Sequence, residues 1–586
     1  MIHNNLDKRT KVWRSIIILI SIIGFAVCFA VLFPQVRRMI LDLGAQIVQR
    51  EASTYQSWLK ALFSYAIGGI FLILFFDFCT LTDKGRTLVQ KVKKDITDCL
   101  SEINFNYFIK PALFMSGIYL LGILTIIRAN FLFLDDLGRA AIGYRGWYGW
   151  SRYVSELSSI FVHGGTNLTD ISPLPQLLAI LILSCSSVLL VYIIGNGKIT
   201  ITRLLASIPL GLFPYFLECL SFKFDAPYMS LSILACMVPF LFIAHKKAFI
   251  FISIISLLVM CMTYQSISGV YLLIVVILCF RDWNSLRKSN REILSFLGTA
   301  VATFCIAMLI FRFFLMKPLD DYASTAMHPF PQMISGVLSN IKNYIEIINQ
   351  DLGVIWKAGI AMVLLFFITQ SISQSSQKKP FSFIISLLVI AVSFILSYGL
   401  YILLETPLFL PRALTGFGVF LAILCVYIVA EGKKPAIITV IALNWCFFVF
   451  AFSYGNALAD QKRYAEFRIN LLLHDLSALY PDFNGEIMPI QLKNSIDFAP
   501  TIKNIAKQNP VIERLTPKLL AEGYCWENFY FTEYYNFDKY RNVNIQTNVS
   551  SDKYIDFDTL NLPVVLDTYY HTIQSDGNRI LVVLKR

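Results

Sequence analysis

The chain has 586 residues, 56% of them hydrophobic and only 15% charged, against roughly half apolar and a quarter charged in a soluble globular domain. The excess is concentrated in runs near the roughly 20 apolar residues that cross a hydrocarbon core as a helix, which excludes an ordinary soluble enzyme. The net charge of +12 is not a nucleic-acid footprint: from Gly455 onward there are 14 basic and 16 acidic residues, leaving 36 and 22 for the preceding part, where basic loops act as orientation signals.

In chain order, apolar runs at 15–33, 61–80, 109–129, 173–194, 201–219, 228–244, 248–264, 266–280, 293–316, 352–370, 381–403, 412–430 and 435–455 predict thirteen membrane spans. The expected fold class is an all-α polytopic membrane protein with a small α+β domain at its C-terminal end. Residues 1–105 read as an N-terminal extension carrying two spans, with an interfacial amphipathic helix over 34–60. Residues 106–455 hold the other eleven. Beyond them, 456–586 is of mixed polarity, helix-like at "YAEFRINLLLHDLSALYPD" and strand-like at "LPVVLDTYYHTI" and "RILVVLKR". The basic loops, from "KGRTLVQKVKK" through "RDWNSLRKSNR" to "EGKKP", fall at every second junction. The positive-inside rule then puts the N-terminus in the cytoplasm and both the long acidic loops and the C-terminal domain outside. Ten of the 12 cysteines lie in apolar runs, and Cys99 and Cys525 have no partner at zinc or disulfide spacing.

Five of the expected outer loops carry the polar chemistry. "FLFLDDLGRAAIGYRGWYGWSR" (131–152) supplies Asp135, Asp136, Arg139, Arg145, Trp147 and Arg152. "ECLSFKFDAPYMS" adds Glu218, Lys223 and Asp225, "TYQSIS" adds Tyr264 and Gln265, "MKPLDDYASTAMHPFPQ" adds Lys317 and His328, and "LLETPLFLPRALTGFG" adds Arg412. A carboxylate at a membrane interface suits a general base that takes a proton from a hydroxyl; Asp135, Asp136 and Asp225 are the catalytic candidates. Guanidinium groups and Lys317 suit a lipid-linked phosphate, and Trp147 a sugar ring. Each residue also has a plainer reading: an aspartate capping a helix, arginines snorkelling to phospholipid, aromatics forming an interfacial belt, a lone His328 held structurally. Asp320 and Asp321 leave room for a divalent cation without specifying one. The absence of a Walker loop, dinucleotide fingerprint or Gly-x-Ser-x-Gly elbow argues against nucleotide or hydrolase chemistry.

The 131–152 stretch resembles the signature of the bacterial serotype-converting O-antigen glucosyltransferases of the Gtr type. "FKFDAPYMSLS", "TYQSISGVY" and "PRALTGFG" are similar to family positions in the same order. The resemblance covers about 109–455 and rests on Asp135, Asp136, Gly138, Arg139, Asp225, Tyr264, Gln265 and Arg412. It implies a GT-C-like enzyme of the bacterial inner membrane that moves one sugar, typically glucose, from a polyprenyl-phosphate donor to a polysaccharide acceptor on the periplasmic side. The alternatives are a lipid-linked oligosaccharide flippase, an O-antigen polymerase and a non-catalytic scaffold.

Overall fold

The computed structural model describes Thr80 and residues 82–317, 324–481, 488–520, 540–542 and 556–585. The run at 15–33, the run at 61–80 apart from Thr80, and the amphipathic segment 34–60 lie outside them. Among the described residues, seven helices are long and apolar enough to cross a membrane: Asn106–Ala129, Leu174–Ile194, Gln265–Asn284, Asn290–Leu315, Val354–Ser373, Lys379–Ser397 and Lys434–Leu479. Each coincides with an expected run. The other four runs of this stretch form shorter pieces, so the expected count is not reached among the described residues. Ile201–Leu212 and Pro214–Ser221 meet at 62° and make an eighth span only if taken together. Pro214 has no N–H to continue a helix, and Phe213 before it is extended. Ala226–Phe242, Lys246–Cys261 and Gly416–Ile428 are the remaining three.

Depth follows composition. Gly416–Ile428 is apolar on every side and buried at every residue, the condition for a helix at the centre of a bundle. Asn290–Leu315 and Lys379–Ser397 bury only 28% of their most apolar stretch and leave Leu294, Leu309, Ile384 and Leu388 exposed, a surface suited to lipid rather than water. Two glycines let backbones touch: a Cβ on Gly269 would lie 1.7 Å from the Leu396 carbonyl oxygen, and one on Gly416 would lie 2.1 Å from that of Ser397. Small residues at such crossings are the usual means of close helix packing in membranes.

The expected domain boundary at 455/456 falls inside the continuous helix Lys434–Leu479. Its first half packs in the main core through Leu443, Phe447, Phe450 and Tyr454. Its second half turns Ala465, Ile469, Leu472 and Leu476 onto a small sheet. Among the described residues that sheet has five strands, β1 (Met488–Lys493), β2 (Tyr540–Asn542), β3 (Val564–Asp567), β4 (His571–Ser575) and β5 (Ile580–Leu584), in the order β2-β1-β5-β4-β3. β1 is parallel to β2 and β5, whereas β3–β4 and β4–β5 are antiparallel. β4 and β5 turn at Gly577, φ +89°, where Asp576 accepts the N–H groups of Asn578 and Arg579. Burial alternates along β4, with His571, Ile573 and Ser575 turned inward, as a strand with one covered face requires.

Candidate functional site at the helix ends

The Asn106–Ala129 span stops at Asn130, in the left-handed conformation, and the chain then makes a tight turn in which Leu134 is held at φ +50°. A branched side chain occupies that region only at a cost, which neighbouring contacts must offset. They come from Asp136. Its carboxylate is fully buried and accepts three backbone N–H groups: Phe133 at 3.2 Å, Lys223 at 2.9 Å and Phe224 at 3.4 Å. It thereby clips the 131–139 turn to the 222–225 loop. Burial, opposed by Arg139 and these N–H groups, pushes the Asp136 carboxyl up to about 7. Asp135 faces the other way, with its side chain 51% exposed and one oxygen 4.0 Å from Arg139.

Five stretches meet around this turn. Asp225 is buried and paired with Arg139, and it also accepts the Trp147 indole N–H. Trp147 is itself buried, with the Arg139 guanidinium 4.4 Å from its ring centre on one side and Tyr228 edge-on at 5.3 Å on the other. Arg145 pairs with Glu156 at 3.2 Å. Lys223 pairs with Asp170 at 3.1 Å and donates to the Asn130 side chain. Glu218 is buried and accepts both the Arg412 guanidinium, at 2.7 Å, and the Arg412 backbone N–H, at 2.6 Å. Tyr264 donates to the Arg412 carbonyl at 3.1 Å, and Gln265 to that of Trp150 at 3.1 Å. Burying these charges unpaired would cost several kcal/mol each.

Two cations stand apart. Arg152 lies over the Tyr264 ring at 4.9 Å, with its Nε buried and without a hydrogen-bond partner. Lys317 sits 3.2 Å from the centre of the Tyr148 ring, its backbone N–H held by Ser151 at 2.7 Å. Among the described residues no carboxylate lies within ion-pair distance of either. Among the described residues, Asp135 is thus left exposed while Arg152 and Lys317 have no carboxylate partner.

His328 has other partners: its backbone N–H donates to the Leu403 carbonyl and its ring meets Asn340 at 3.3 Å. Asp320 and Asp321 lie outside the described residues. Among the described residues, no three His, Cys, Asp or Glu side chains are grouped closely enough to hold a metal. Sequence reasoning missed Asp170 and Asn130, whose partners lie 53 and 93 residues away in the chain. A groove of about 470 Å³ opens nearby between the Lys434–Leu479 helix and the Pro500–Ala506 helix, lined by Asn456, Asp460, Thr501 and Asn504 among others. None of the expected site residues lines it.

A bundle of apolar spans with an ionic, aromatic-walled cluster at one set of helix ends defines a polytopic membrane protein. More particularly, the chain belongs to the glucosyl transferase GtrII family, whose model matches residues 124–448 and so takes in every expected site residue; its activity is glycosyl transfer. The chain is also similar to an uncharacterized 55.3 kDa protein encoded in the gtrB 5' region of Salmonella phage P22, at 26% identity over 449 residues, which span 72% of this chain and 89% of that protein. No solved structure matches.

Proposed function

We propose that this protein moves a single glucose from a polyprenyl-phosphate donor to an O-antigen or related surface polysaccharide on the periplasmic side of the bacterial inner membrane. Asp135 is the general base. It takes the proton of an acceptor hydroxyl while that oxygen forms its bond to the anomeric carbon. The bond from that carbon to the phosphate oxygen breaks in the same step, inverting the anomeric centre. Arg152 and Lys317 hold the departing phosphate, where added positive charge counts most as negative charge develops. Arg139, Asp136 and Asp225 build the floor on which Asp135 stands.

The observation that carries this reading is the division of the ionic groups. Among the described residues, four of the six expected cations are matched by carboxylates, Arg152 and Lys317 are not, and Asp135 remains exposed. A phosphate that needs cations and a hydroxyl that needs a base fit that remainder. The basic loops at the opposite helix ends support the outward orientation.

The test is transfer by the purified full chain, supplied with polyprenyl-phosphate [14C]glucose and purified O-antigen-bearing lipopolysaccharide and no nucleotide sugar. Label is expected in the polysaccharide. Label that crosses a vesicle membrane without being incorporated would instead identify a transporter.

A further inference from the structure

Asp351 ends the helix Met333–Asp351 and is 2% exposed. A carboxylate there meets the negative end of the helix dipole in a buried place, two costs that a cation must offset. Among the described residues that cation comes from Arg514, at the end of the short helix Val511–Leu515, outside the residues matched by the family. The guanidinium spreads its donors over two targets, the Asp351 carboxylate and the carbonyl of Phe409. Asp351 also accepts the Tyr215 hydroxyl at 2.7 Å. Tyr215 and Glu218 share the helix Pro214–Ser221, three residues apart and so on one face, and Glu218 holds Arg412, three residues beyond Phe409. Val511, Ile512 and Leu515 lie in the same core as the membrane helices, and the Leu515 carbonyl accepts from Tyr454, itself bonded to Ser221.

We propose that Arg514 is a positioning residue for the transfer site. By gripping Asp351 and the Phe409 carbonyl together, it fixes the 404–412 loop against the Pro214–Ser221 helix. The Glu218–Arg412 pair is thereby set, and through Tyr264 so is the ring on which Arg152 rests. The C-terminal segment is thus part of the site rather than an appended module. This rests on the transfer reading above.

The experiment compares full-length wild type, D351N/R514Q and R514K in the same transfer assay, each also measured for thermal unfolding in detergent. The double variant removes both charges, so no buried charge is stranded. It is expected to unfold near the wild-type temperature while kcat falls at least tenfold, because the Phe409 carbonyl has lost its guanidinium. In R514K the ammonium neutralises Asp351 but cannot serve both targets as a fork does; folding is expected to persist and kcat to fall. Wild-type kcat in either folded variant would overturn the proposal. Loss of folding in both would do so too, by making Arg514 a stability element only. A wild type inactive with polyprenyl-phosphate glucose would overturn the transfer reading itself, a result distinguishable from these.

Discussion

Asp135 and Asp136 are adjacent, yet one is half exposed and the other sealed. The division follows from helix geometry, in which neighbours point about 100° apart. Because burial raises the Asp136 carboxyl to about 7 from 3.8, the folded state holds this proton more tightly than the unfolded chain. Its linked stability is complete below the unfolded value and is lost as pH rises through 7. Between pH 6.5 and 8 that loss is on the order of 1 kcal/mol. Thermal unfolding of the wild type should therefore occur at a higher temperature at pH 6.5 than at pH 8, and D136N should remove that difference. Arg152 and Lys317 make a separate prediction. A charge-assisted hydrogen bond contributes about 1.5–3 kcal/mol, so R152Q or K317Q should lower kcat/KM for polyprenyl-phosphate glucose roughly ten- to a hundredfold. Steady-state kinetics on folded protein check this, and an unchanged kcat/KM in both would remove them from the phosphate site.

At the scale of the element, the tight crossings give a contrast internal to the chain. G269A forces a methyl against the Leu396 carbonyl and the Gly399 Cα. It should destabilise the protein by about 1–3 kcal/mol or abolish folding. G298A, within the Asn290–Ile310 helix and with no atom within 4 Å of its added methyl, should unfold at the wild-type temperature or slightly above, since alanine favours helix over glycine. Detergent unfolding of the pair decides it. The elements also show what could be read from the chain beforehand. Long apolar runs such as 173–194 announce themselves by length and hydropathy, and the strands at 564–567 and 580–584 by their Val, Ile and Leu content rather than by alternation. The bend at Phe213 is visible only as Pro214 inside an otherwise unbroken apolar run. The helix Met333–Asp351 is amphipathic rather than apolar, so a search for spans passes over it. The 46-residue helix is hidden by "ADQKRYAEFR", whose charges end the apolar run but not the hydrogen-bonded ladder.

At the scale of the whole molecule, the site is made by chain reversals. Segments around residues 135, 152, 223, 264, 317 and 412 meet because successive helices return their ends to the same side. The order of basic and acidic loops made that convergence legible, since loops at alternate junctions share a face. The pairings were not legible: which acid neutralises Arg139 or Lys223 is decided by packing between residues 86 and 53 positions apart. Nor does any local pattern connect Arg514 with Asp351, 163 residues away. The central claim is that this convergence is the place of transfer and that Asp135 is its base. The most direct measurement is the rate of [14C]glucose transfer from saturating polyprenyl-phosphate glucose by D135N, on protein whose thermal unfolding matches the wild type. General-base catalysis contributes about 10²–10⁴-fold, and the rate should fall by that order with the donor KM little changed. A D135N enzyme that transfers glucose at the wild-type rate would contradict the account.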